Sequence, residues 1–326
     1  MTNKKGFLAL LLVVIMVLVA FTGCSNSGAA EPAAATPEAS DDVVEIALII
    51  KATDSPFWQK VAEGGRDYAA EHEGVNVTIY GAPSESDFEK ALTILDDVVS
   101  SEPDGIVIGT DGAEGAIPAV ERATDMGIPV ITIDTEVPSE LIVSHLATDN
   151  VAGGAMAADA MVEHWKANGI ELKGKVGIVA GVAGVDTIIK RDNGFIDRMA
   201  EIAPDVEILE PRYIEGDPAK GMTATEDFIT TYDDLIGIYG DCCFSGTGVA
   251  SAMEQSGRQD EIIVIAFDDD PAEVEALQNG VIKALIIQDQ HNMGYAGCDS
   301  IMKLQAGEEL PKFVDTGVQV TNKEDL

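Results

Sequence analysis

The chain has 326 residues, and 57 acidic side chains against 20 basic ones leave a formal charge of −37. So acidic a surface repels phosphate, which excludes nucleic-acid binding and electrostatic docking onto anionic lipid, and a hydrophobic content of 46 % excludes wholesale disorder. Four cysteines and four histidines spread over this length make neither a disulfide scaffold nor a zinc enzyme, and the length allows two domains of ordinary size.

The amino terminus reads as an export signal. Lys4 and Lys5 precede an unbroken apolar run from Phe7 to Phe21, and small residues follow at Thr22-Gly23-Cys24. Such a run is short for a membrane span and has the flanks of a secretory signal. FTGC resembles a bacterial lipobox, although Phe21 stands where Leu is commonest. The expectation is a lipoprotein signal over 1–23, acylation of Cys24, and an extracytoplasmic protein held at a Gram-positive surface or in a periplasm. Ser25 to Asp42 reads SNSGAAEPAAATPEASDD. Small residues, Pro and acids without an apolar face do not fold, so 24–42 is expected to be a lipid-anchored tether.

From residue 43 onward, short β-branched runs alternate with stretches of helical period. The runs lie at 43–50, 75–81, 104–110, 128–134, 141–148, 175–181, 206–213, 235–241, 262–268 and 283–289. Nearly continuous apolar strands separated by helices predict parallel sheets covered on both faces. In the first helix Phe57, Val61, Tyr68 and Ala69 fall near one face, with Gln59, Lys60, Glu63, Arg66 and Asp67 mostly on the other. About ten strands exceed one small sheet, so the class is α/β with two doubly wound αβα lobes, the pattern breaking near Thr148-Asp149-Asn150.

Ligands of open parallel sheets bind beyond the carboxyl ends of the strands. The residues there are Lys51, Asp54, Ser55, Phe57 and Trp58, then Asp111, then Asp134 and Glu136. Later strands bring Asp186 and Arg191, Asp241 and Cys242, Asp268 and Asp269, and Gln288 and Asp289. This set binds hydroxyl groups and contains no nucleophile–base pair, so no enzyme, cofactor or metal is expected. Cys242, Cys243 and Cys298 read as small buried residues.

KATDSPFW, PVITIDT, VSHLATDNVAGG, KRDNGF, IAFDDDP, QDQHNMGY and VDTGVQVTNKE occur in register over about 43–326. Together they resemble the periplasmic-type solute-binding proteins of the ribose-binding class, the sugar-capturing components of ABC importers. The resemblance implies the type I architecture: lobes of about 43–148 plus 289–315 and 149–288 plus 316–326, crossings near Thr148, Gln288 and Asp315, and a ligand clamped in the cleft. It implies a monomer that captures a small neutral sugar or polyol and delivers it to a membrane permease. The ligand set it implies is Ser55, Phe57, Trp58, Asp134, Arg191, Asp268 and Gln288, joined here by Lys51 and Cys242. Aromatic rings would lie on the C–H faces of the sugar, and carboxylates and guanidinium would bind its hydroxyls.

Four departures stand out. Thr135 follows Asp134 where ribose-binding members carry arginine, Cys242 replaces an asparagine, Gly216 stands where an aromatic is frequent, and Lys51 replaces a small hydroxyl residue. A lysine at that place also occurs in binders of ketohexoses, of polyols and of the quorum signal autoinducer-2, so a receptor for a sugar-like signal, or a chemosensory one, is the alternative. A transcription regulator with this core would need a DNA-binding segment where 1–42 read as signal and tether. Other readings stay open beside the sugar site. Lys51 would neutralise Asp54, Arg191 would pair with Asp192, Asp134 or Asp268 would cap the turn that follows, and Trp58 and Phe57 would be core residues.

Overall fold

The computed structural model describes residues 43–84 and 87–326. The expected signal peptide, Cys24 and the tether lie outside the described residues. The first half of the domain runs β1 (Val44–Ala52), α1 (Pro56–Glu71), β2 (Val75–Ala82), α2 (Phe88–Ser100), β3 (Gly105–Ile108), α3 (Ala113–Asp125), β4 (Val130–Ile133) and β5 (Ser144–Ala147). The chain then continues through α4 (Asn150–Asn168), β6 (Gly174–Ala180), α5 (Asp186–Ile202), β7 (Val206–Ile208), β8 (Arg212–Tyr213), α6 (Pro218–Thr231), β9 (Leu235–Gly240) and α7 (Cys243–Ser256). β10 (Ile263–Phe267), α8 (Pro271–Gln278), β11 (Ala284–Gln288), α9 (Gln290–Gln305), β12 (Phe313–Asp315) and β13 (Val318–Asn322) complete it.

Two sheets result. The first has the order β12-β5-β4-β3-β1-β2 and is parallel throughout. The second has the order β13-β11-β10-β9-β6-β7, with β8 on β6. Each is covered on both faces, as strands buried on both sides require. In β1, Ile46, Leu48 and Ile50 point toward Val61, Tyr68, Met293 and Ile301, while Ala47 and Ile49 join Leu95, Val98 and Val120 on the other face. That split is the two-residue period of a strand. In the second sheet Ile263, Ile265 and Phe267 meet Trp165 and Phe195, and Val264 and Ala266 meet Val249 and Met253.

The structure differs from the expected strands in three places. The run 206–213 is split into β7 and β8, because Pro211 lacks the N–H that a ladder needs. Two short strands, β12 and β13, come from the VDTGVQVTNKE segment, where no apolar run announces them. β13 is antiparallel to β11, so the second sheet is mixed rather than purely parallel. Gly317, between these two strands, holds φ at +101°, a turn open to glycine and costly for other residues.

The chain passes between the sheets after β5, after β11 and between β12 and β13. These passages are tied to one another. The Asp315 carboxylate accepts from the amides of Asp149 (3.1 Å) and Gly317 (3.0 Å), the Asp289 amide donates to the Gly317 carbonyl (3.2 Å), and Asn292 donates to the Thr316 carbonyl (2.9 Å). Asp149 and Asp289 also cap α4 and α9, accepting from the amides of Ala152 and Asn292.

Candidate functional site

A cleft of about 1160 Å³ opens beyond the carboxyl ends of the strands, lined from both sheets. All nine residues singled out in the sequence, Lys51, Ser55, Phe57, Trp58, Asp134, Arg191, Cys242, Asp268 and Gln288, line it. Asp186 also lines it, as an exposed rim residue paired with Lys190.

On the first sheet, Lys51 at the end of β1 is the centre of a charge cluster. Its ammonium lies 2.7 Å from Asp111 Oδ1 and 2.9 Å from Asp134 Oδ2, and it donates to Thr135 Oγ1 at 2.9 Å. Thr135 Oγ1 in turn donates to Asp134 Oδ2 at 2.9 Å. Burial lowers the pKa of Lys51, but the Asp134 and Asp111 carboxylates outweigh it and hold the pKa above the ordinary value. Burial opposes the charge on Asp134 as well, and Lys51 overrides it, so Asp134 sits below the usual carboxylate range. Lys51 does not neutralise Asp54; its partners are Asp111 and Asp134.

On the second sheet, Arg191 projects from α5 and is 4 % exposed. Its Nε donates to Asn150 Oδ1 at 2.8 Å and its Nη1 to the Asp241 carbonyl at 2.9 Å, and its guanidinium stacks on Phe267 at 3.8 Å. Asp268 Oδ2 lies 3.9 Å from Nη1, and Gln288 donates to Asp268 Oδ1 at 2.6 Å. Burial raises the pKa of Asp268 in spite of Arg191 and Gln288. Arg191 pairs with Asp268 and not with Asp192. The cap of α8 is Asp270, which forms a capping box with Glu273, so Asp268 is left to the cleft. Asp269 takes the Lys60 ammonium and the Gln290 amide.

Asp134 and Asp268 share a backbone feature. Each follows a strand, β4 or β10, with φ positive at 61° and 81°. Each amide is held by the neighbouring strand, donating to the Leu146 carbonyl at 3.0 Å and to the Ile286 carbonyl at 2.8 Å. Left-handed conformations in non-glycine residues cost on the order of 1–3 kcal/mol and gather at functional sites. Here they turn one carboxylate from each sheet into the same cleft.

The aromatics divide. Phe57 is half-buried at the cleft, whereas Trp58 is 2 % exposed and packs against Gly109 in the first core. Trp58 supports Phe57 edge-on, with ring centroids 5.1 Å apart, and its buried ring is not the open stacking plate expected. Ser55 is the N-cap of α1 and makes no side-chain cap bond. Cys242 is the N-cap of α7, half-buried, with Sγ 3.0 Å from Ser245 Oγ. Cys243 is half-buried too, so of the three cysteines only Cys298 is a fully buried core residue. Burial and then Asp241 push the Cys242 thiol far up, which leaves it a poor nucleophile. Sequence reasoning missed Asn150 as the partner of Arg191; its only signal was its place at the break in the strand pattern.

The periplasmic binding protein domain profile matches residues 46–309. The ribose import binding protein of Escherichia coli is 26 % identical over 267 residues, covering 81 % of this chain and 86 % of that protein. Among solved structures, a carbohydrate transporter solute-binding protein from Agrobacterium radiobacter, in complex with D-arabinose, is 30 % identical with a TM-score of 0.78, over 87 % of this chain and 95 % of that one. An ABC transporter solute-binding protein from Agrobacterium vitis, bound with α-D-tagatopyranose, is 31 % identical with a TM-score of 0.77, over 86 % and 95 %. Motif order, two wound sheets and a cleft fed by both lead to one conclusion: the chain belongs to the periplasmic binding protein family, in its ribose-binding class.

Proposed function

We propose that the protein is the extracytoplasmic capture component of an ABC sugar importer, closing two lobes around a small neutral sugar or polyol and presenting it to a membrane permease. The observation that carries the reading is the pair of left-handed aspartates, Asp134 and Asp268. They bring a Lys51-bound and an Arg191-facing carboxylate to the same cleft from two sheets. Hydroxyl groups both donate and accept, so charged donors and acceptors side by side suit them. A buried set of this kind rejects solutes that lack the matching hydroxyl. The relatives bear names of sugar import, which weighs for import over the signal-receptor alternative. Ser55, Phe57 and Cys242 belong to the binding set in this reading. Cys24 carries the lipid, residues 24–42 form the tether, and the protein works as a monomer.

A thermal-shift screen over pentoses, hexoses, polyols and autoinducer-2, followed by titration calorimetry, tests the function. A raised melting temperature with at least one neutral sugar or polyol is the expected result. Asp268→Asn should weaken that ligand about tenfold or more, since a charge-assisted hydrogen bond is worth roughly 1.5–3 kcal/mol. Asn also tolerates the left-handed backbone, so the fold should survive. A screen in which only autoinducer-2 binds would overturn import in favour of signalling. Cys24→Ser should release the protein from membranes, and wild-type protein of unacylated mass in the soluble fraction would refute the anchor.

A further inference from the structure

Two exposed apolar side chains on the second sheet's side of the cleft take no part in its charged contacts. Phe244, in the first turn of α7, lies there 39 % exposed, and Val182, after β6, is 38 % exposed. Both line the cleft, with Gly216. A Cβ built on Gly216 would find Phe244 Cδ2 at 3.9 Å and Val182 Cγ2 at 4.0 Å as its nearest neighbours. Gly216 holds φ at +70°, which disfavours any larger residue, so the space beside it stays open. The charged contacts of the cleft join Lys51 to Asp111 and Asp134, and Arg191 and Gln288 to Asp268, and none of those contacts includes Phe244, Val182 or Gly216. The point a Cβ on Gly216 would take is therefore unfilled, and an aromatic ring and a branched side chain flank this corner within van der Waals contact distance.

We infer that Phe244 and Val182, around the space at Gly216, select a pyranose bearing a carbon at C5, a hexose or 6-deoxyhexose, over the pentose with the same ring hydroxyls. The inference rests on the sugar-binding reading and sharpens it. Ring hydroxyls are matched by the charged groups, and the C5–C6 part of a hexose is the end richest in C–H. Placed in the corner, that end covers apolar surface otherwise left to water. A pentose leaves the corner wet. Phe244 and Val182 are exposed, so C6 can lie against them while its hydroxyl stays in water, and one carbon in such contact is worth about tenfold in affinity.

The test uses pairs that share ring stereochemistry: D-xylose with D-glucose, D-ribose with D-allose, and L-arabinose with D-galactose and D-fucose. Calorimetry should find the hexose about tenfold tighter than its pentose in the pair that fits. If the galacto pair fits, D-fucose should lie within about threefold of D-galactose. Phe244→Ala should reduce the hexose-to-pentose ratio to about threefold or less. Val182→Trp, which fills the corner, should cost the hexose about tenfold more than the pentose. Both side chains are exposed, so melting temperatures without ligand should stay near wild type. Pentose and hexose of equal affinity, or a ratio unchanged in both variants, would overturn the corner and leave sugar binding standing. No response to any of these sugars, with polyols and other neutral sugars also silent, would instead refute the sugar-binding reading.

Discussion

Lys51 and Asp134 are each nearly buried, with side-chain exposures of 11 % and 13 %, and each stays charged because the other is there. Removing one partner of such a pair strands the other. Lys51→Ala should therefore lower unfolding free energy by on the order of 3 kcal/mol, read from urea denaturation, besides weakening ligand binding. Arg191 is similar: its guanidinium is held by Asn150, Asp241 and Phe267, so Arg191→Ala should cost stability as well as affinity. Behind Arg191 lies a second device. Both oxygens of Asp192 and Oδ2 of Asp241 are buried without a donor, a defect that one proton shared between the two carboxyls relieves for two of the three oxygens. Burial first, then Asp241, pushes Asp192 up to about 8, against the opposing Arg191 charge. A carboxyl with a raised native pKa binds its proton more tightly folded than unfolded. Its stabilisation is complete below the unfolded value near 4, and is lost as pH rises through about 8. Thermal melts of wild type should fall across that window relative to Asp192→Asn, whose amide needs no proton. Parallel curves would exclude the shared proton.

At the scale of elements, two helix pairs meet through glycine. In the first lobe, a Cβ on Gly64 would lie 1.9 Å from the His291 carbonyl oxygen, and one on Gly294 1.9 Å from that of Val61, so α1 and α9 touch backbone to backbone. In the second, a Cβ on Gly154 would lie 2.0 Å from the Arg191 carbonyl oxygen and one on Gly194 2.1 Å from that of Val151, so α4 and α5 also touch through their backbones. The second contact includes the residue that carries the guanidinium. Gly154→Ala should push α5 away, destabilise the protein by about 1–3 kcal/mol, and weaken binding through a displaced Arg191. Denaturation and calorimetry on that variant check both effects, and lost stability with intact affinity would show that the cleft tolerates the shift.

For the whole molecule, the passages between the sheets are short and cross-bonded through Asp315, which suits a hinge more than a loose linker. Lys60 on α1 and Asp269 after β10 form an ion pair from one sheet's helix layer to the other sheet. Lys60 is 39 % exposed at its side chain, so the pair is open to screening by salt. Ligand binding should favour the closed form, and small-angle scattering should show a smaller radius of gyration at saturation. Lys60→Met should enlarge the unliganded radius and make it insensitive to salt. A radius unchanged by saturating ligand would count against a clamp.

The alternation of apolar runs and helical stretches, the caps and the ordered motifs are local properties of the chain. They pointed to two wound sheets and the family, and the nine residues of the expected ligand set line the cleft among others, since strand ends deliver side chains to one edge. Other features arise from contacts between distant residues. Lys51 reaches Thr135, Arg191 reaches Asn150, and Trp58 packs on Gly109, each across more than 40 positions. Periodicity carries no record of such pairs, so neither the Lys51 cluster with Asp111, Asp134 and Thr135 nor the burial of Arg191 against Asn150 was legible. The split at Pro211 was written in the sequence, since proline has no amide to donate. The strands β12 and β13 were not, because three and five half-exposed residues become strands only when a sheet edge is present to pair them. Local chemistry determined what each segment is. Tertiary packing decided which charges are buried together, because only the folded chain brings them into a medium where water no longer screens them.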